Sequence, residues 1–68
     1  MNEDVFNMSV RKFLKQVGIT AQREIEGAVR DALARGDLGG SRKLEAKATI
    51  SLANTKLNLV VRGEIDLD

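Results

Sequence analysis

The sequence predicts an α+β chain: two amino-terminal helices followed by a carboxy-terminal antiparallel β-hairpin, in the order ααββ. Three observations predict it. Apolar residues recur at helical spacing over residues 3–17 and again over 21–35. The period then drops to two from Leu44 onward. Glycines at positions 18, 36, 39 and 40 stand where these patterns change.

The first predicted helix, 3–17, starts after Asn2, an N-cap residue. Glu3 and Asp4 follow where the helix dipole favours negative charge. Met1 and Phe6 stand at the spacing of a hydrophobic staple. Phe6, Val10, Phe13, Leu14 and Val17 share one face, and Arg11, Lys12 and Lys15 occupy the later turns. Gly18 is expected as a left-handed residue that ends this helix, with Ile19 folding back onto Leu14.

The second predicted helix, 21–35, takes Thr20 as its N-cap. It carries Ala21, Ile25, Ala28, Val29, Ala32 and Leu33 on a broad apolar stripe. Glu26–Arg30 and Asp31–Arg35 are i,i+4 pairs on its outer side, and Gly36 ends it. Gly27 costs it roughly 1 kcal/mol relative to Ala.

Residues 37–43, Asp-Leu-Gly-Gly-Ser-Arg-Lys, read as a flexible hinge. Strands are expected at 44–52 and 57–67, joined by the turn Ala53-Asn54-Thr55-Lys56. Leu44, Ala46, Ala48, Ile50 and Leu52 alternate with Glu45, Lys47, Thr49 and Ser51, and Leu57, Leu59, Val61, Ile65 and Leu67 form the matching set. Gly63 stands in an inward position, the mark of a bulge or a close backbone approach. Helices packed on one face of the sheet would cover these apolar residues.

Size and edges point to self-association. A chain of 68 residues buries only roughly 60% of the surface its unfolded form exposes. A two-stranded ribbon is marginal by itself and leaves two unpaired edges. A homodimer that pairs two hairpins into a four-stranded sheet removes two of the four edges, and exchange of the hairpin across Gly39-Gly40 is a variant of that solution. The expected dimer contacts are Val5 and Met8, which project away from the main stripe, with Ile50, Leu52, Leu59 and Val61 of the hairpin.

Composition narrows the chemistry. The chain is 43% hydrophobic and 31% charged, the balance of a folded domain. Its 11 basic and 10 acidic residues leave a net charge of +1, too little for a general polyanion binder. It contains no His, Cys, Pro, Trp or Tyr, which removes disulfides, the usual zinc ligands and imidazole or thiol catalysis. A serine nucleophile would need a lysine partner. Gly36, Gly39 and Gly40 lack the Lys-Ser/Thr ending of a phosphate loop and precede a strand. No catalytic, cofactor-binding or metal-binding residue is therefore assigned, no cofactor is expected, and the chain is not expected to be an enzyme. Glu64, Asp66 and Asp68 fall on one face of an extended chain, as oxygen ligands for a hard cation would. An acidic face that discourages edge pairing is the favoured reading.

The competing class is a nucleic-acid-binding regulator with a helix-turn-helix and a wing. Phe13-Leu14-Lys15-Gln16-Val17-Gly18-Ile19-Thr20 has the outline of the first helix and turn, and Arg23, Arg30, Arg42 and Lys43 would contact nucleic acid. Against it, Glu24 stands where an apolar residue is wanted, and Glu26 and Asp31 interrupt the basic face. The longest aliphatic run, Leu59-Val60-Val61, is far short of the ~20 residues that span a membrane. The acidic opening Met1-Asn2-Glu3-Asp4 leads into no secretory-type apolar segment, so a cytoplasmic protein without membrane contact is expected.

The opening run MNEDVFNMSVRKFLKQVGITAQREIE and the segment Gly63-Glu64-Ile65-Asp66-Leu67 resemble a family of small bacterial proteins of unknown function, over nearly the whole chain. The resemblance implies a free-standing bacterial cytoplasmic protein and brings no catalytic or binding residue with it.

Overall fold

The computed structural model describes residues 1–68 as two units, Met1–Leu38 and Gly39–Asp68. The element order is α1 (Glu3–Arg35), β1 (Lys43–Ser51) and β2 (Asn58–Asp66). The α+β class and the antiparallel hairpin agree with the sequence reading. The number of helices does not: the two expected helices, 3–17 and 21–35, are one.

Asn2 caps α1 from an extended backbone, its Oδ1 accepting the Val5 N–H at 3.1 Å. Met1 remains 92% exposed, so the expected staple onto Phe6 gives it almost no cover. The helix then runs through Gly18, Ile19 and Thr20 without a break. Gly18 does not adopt a positive φ, and Thr20 caps nothing because it lies mid-helix. The local signals for a stop and a start are outweighed by continuity. Val17 and Ala21 are four residues apart, so an unbroken helix keeps both apolar stripes on one side. One helical glycine costs only about 1 kcal/mol, less than leaving two sets of terminal backbone groups to be satisfied.

The helix ends where expected, at Gly36, with φ of 72°. Its N–H donates to the Leu33 carbonyl at 3.1 Å, and the Asp37 N–H reaches back to the Ala32 carbonyl at 3.0 Å. These are the two bonds of a Schellman cap, and they satisfy carbonyls that the helix itself leaves open. Gly39 and Gly40 follow with φ of 57° and 81°.

In the second unit, β1 and β2 pair antiparallel from Lys43↔Asp66 to Ser51↔Asn58. The Leu67 N–H extends the ladder by donating to the Arg42 carbonyl at 2.8 Å. The strands lie one residue closer to the hinge than expected on β1, and β2 is shorter at both ends than expected. At the turn, the Thr55 N–H and the Thr55 hydroxyl both donate to the Leu52 carbonyl, at 3.3 and 2.7 Å. The same hydroxyl accepts the Leu57 N–H at 3.2 Å. Asn54 takes φ of 64°, the left-handed region that Asn tolerates better than most residues.

The register puts Leu44↔Ile65, Ala46↔Gly63, Ala48↔Val61 and Ile50↔Leu59 on one face. Seven of the ten apolar residues expected on this face stand there, while Leu52, Leu57 and Leu67 fall just outside the paired strands. Within the hairpin unit nothing covers this face, and Leu59 and Val61 remain 45% and 51% exposed.

Candidate functional site

The molecule offers surfaces rather than a cleft. On α1, Phe6, Val10, Phe13, Val17, Ala21, Ile25, Ala28 and Ala32 follow one another at steps of three or four residues. At about 100° per residue they fall within a band about 120° wide. The larger side chains of this band, Phe6, Val10, Phe13, Val17 and Ile25, are 36–53% exposed. Leu14 lies in the same band. Near the middle of the helix, Phe13, Gln16, Val17, Thr20 and Ala21 line a shallow groove. Its first four members stand at i, i+3, i+4 and i+7, the outline of a hole that accepts a side chain from a facing helix. Val5 and Met8, expected as dimer contacts, are 60% and 71% exposed on other parts of the helix surface.

The hairpin has an apolar face and a charged face. Ile50 is half-buried and Leu52, Leu59 and Val61 are exposed, so these four expected contact residues lie at the solvent surface or close to it. On the opposite face the register creates a ladder of charges: Lys43↔Asp66, Glu45↔Glu64 and Lys47↔Arg62. Two of these three directly opposed pairs, Glu45↔Glu64 and Lys47↔Arg62, carry like charges, and for these four residues opposite charges meet across the strands on the diagonals, Glu45 with Arg62 and Lys47 with Glu64. Lys43, Glu45, Arg62, Gly63 and Glu64 border an open depression on the hairpin.

Arg23 and Arg30 stand two turns apart on the same side of α1, while Arg42 and Lys43 belong to the hairpin unit. Lys43 is matched with Asp66 in the ladder. The helix-turn-helix that would have presented Arg23 and Arg30 does not exist, because residues 18–20 are helical and no turn separates two helices. Asp31 and Asp37 both pair with Arg35. Glu26 accepts from Gln22 at 3.3 Å, where the sequence suggested Arg30 as its partner. Glu64, Asp66 and Asp68 do not converge on a cation cage, since no group of three or more carboxylates gathers in the geometry a metal would need.

One pairing was missed at the level of sequence. Ser9 and Lys12 stand at the Ser-x-x-Lys spacing used by some serine nucleophiles with a lysine base. Both are exposed on the helix. A nucleophile there would act without the enclosed, oriented surroundings that such chemistry needs. No helix is long and apolar enough to cross a membrane.

Among protein families, the model described as a family of unknown function, DUF6494, matches residues 1–68. No curated protein and no solved structure matches the chain.

Proposed function

Because this chain belongs to the DUF6494 family over its whole length, and that family has no described function to lend it, we propose from its own surfaces that it is a noncatalytic interaction module that works as a homodimer. One observation carries the reading: both elements are amphipathic, and each leaves its apolar face uncovered within its own unit, Phe6, Val10 and Phe13 on α1 and Leu59 and Val61 on the hairpin being 41–53% exposed.

The second copy also answers the edge problem. The hairpin has two strands and therefore two unpaired margins. Joining the hairpins of two chains gives a four-stranded sheet with one apolar face, and exchange of hairpins across Gly39-Gly40 reaches the same sheet by another route. A margin left over can take an extended segment from a further protein partner by strand addition. The noncatalytic part of the proposal is supported by the lack of imidazole and thiol groups and by the open, shallow character of the surface depressions.

Light scattering across a dilution series tests it, with circular dichroism followed on the same samples. The expected result is the mass of two chains at micromolar concentration, with helical signal and dimer lost together on dilution. A stable, fully helical monomer at every concentration would falsify the proposal.

A further inference from the structure

We infer that the two copies lay their long helices against each other antiparallel, with the two-fold axis crossing the band between Val17 and Ala21, at the level of residue 19. This rests on the homodimer proposed above and specifies how it is built. The spacing of the apolar band carries it. From Phe6 the steps to Val10, Phe13, Val17, Ala21, Ile25, Ala28 and Ala32 read the same from either end. A two-fold axis at the level of residue 19 therefore exchanges these eight positions with one another, setting Phe6 against Ala32, Val10 against Ala28, Phe13 against Ile25, and Val17 against Ala21, while Leu14, near the edge of the band, comes level with Glu24.

Size makes the antiparallel arrangement the better of the two. The amino-terminal half of the band supplies Phe6, Val10, Phe13 and Val17, and the carboxy-terminal half supplies Ala21, Ala28 and Ala32 with one large residue, Ile25. Antiparallel pairing places large on small in three of the four pairs, which fills a helix interface evenly. Parallel pairing would put Phe6 on Phe6 and Ala32 on Ala32, crowding one end and leaving the other thin. The groove bounded by Phe13, Gln16, Val17 and Thr20 lies beside the axis, where the Ala21 side chain of the second copy would enter it. Charge agrees at the ends of the band: Glu3 on one copy comes opposite Arg35 on the other.

Cysteine crosslinking tests the arrangement, because the chain has no cysteine of its own. Val10→Cys and Ala28→Cys are made separately, checked for retained helix content, mixed under exchange conditions and oxidised. Antiparallel pairing predicts that the mixed disulfide forms and that neither variant crosslinks to itself. Two copies of residue 10 would then lie about 27 Å apart along the axis, beyond the reach of a disulfide. A spin label at Ser9→Cys, beside the band, gives a second reading that leaves the apolar residues intact. It should report a separation near 30 Å, from about 20 residues of axial rise, where parallel helices would bring the labels within a helix diameter. Self-crosslinking of each variant, with a short label distance, overturns the antiparallel arrangement and leaves the homodimer standing. A dimer by light scattering that gives neither crosslink nor a resolved label distance shows that the helices do not pair. A monomer overturns both claims, as does a monomer whose helix instead docks on vesicles of anionic phospholipid.

Discussion

Ala46 stands directly opposite Gly63 in the β-ladder, so the middle of the hairpin's apolar face carries a single methyl group. It is flanked by Leu44↔Ile65 on one side and Ala48↔Val61 on the other. A Cβ added at Gly63 would meet nothing within 4 Å, so the chain by itself has no steric need for glycine there. Gly63→Val should therefore strengthen the isolated hairpin by up to about 1 kcal/mol through strand propensity and cross-strand contact. Amide exchange in β1 and β2 should slow. Faster exchange in the hairpin would contradict the register.

The charged face gives a second expectation. Exchanging the two residues in Glu45→Lys/Lys47→Glu turns both like-charge oppositions, Glu45↔Glu64 and Lys47↔Arg62, into opposite-charge pairs. Directly opposed side chains lie closer than diagonal ones, so the gain exceeds the loss on the diagonals. Thermal unfolding at low salt should show a stabilisation of about 0.5–1 kcal/mol, fading as salt is raised. No gain at low salt would mean that these residues are not opposed.

Gly18 distinguishes one helix from two. In a continuous helix Gly18→Ala removes the entropic cost of glycine and should stabilise α1 by about 1 kcal/mol. The added methyl meets no neighbour. Were Gly18 a left-handed cap between two helices, the same change would destabilise the chain by a similar amount. Helical circular dichroism against temperature reads the sign directly.

At the hairpin turn, Asn54 holds a positive φ and Thr55 ties the loop to Leu52 and Leu57. Asn54→Gly should be neutral to slightly stabilising, and Asn54→Ala should cost about 1 kcal/mol because alanine resists that backbone conformation. Hairpin chemical shifts in the two variants, followed against temperature, check the order.

The hairpin was legible in the sequence because both of its determinants are local: a period of two on either side, and a short polar turn between. The end of the helix was legible for the same reason, since Gly36 matches a Schellman cap with no competing signal. The break at residues 18–20 was misread because Gly-Ile-Thr satisfies a stop, a fold-back hydrophobe and a start all at once. What separates the readings is phase, carried by Val17 and Ala21 across the supposed gap. The charge ladder on the far side of the hairpin needed the strand register, which a list of alternating residues does not state. The palindromic band became visible only once two short stripes were joined into one.

The local character of the hairpin has a kinetic consequence. Its strands are brought together by closing only the short loop from Leu52 to Leu57, and α1 forms through bonds between near neighbours in the chain. Such steps finish on the microsecond scale. On the two-chain account, the encounter of subunits then becomes the slow event of refolding, so halving the protein concentration should lengthen the half-time of that phase about twofold, as second-order assembly requires.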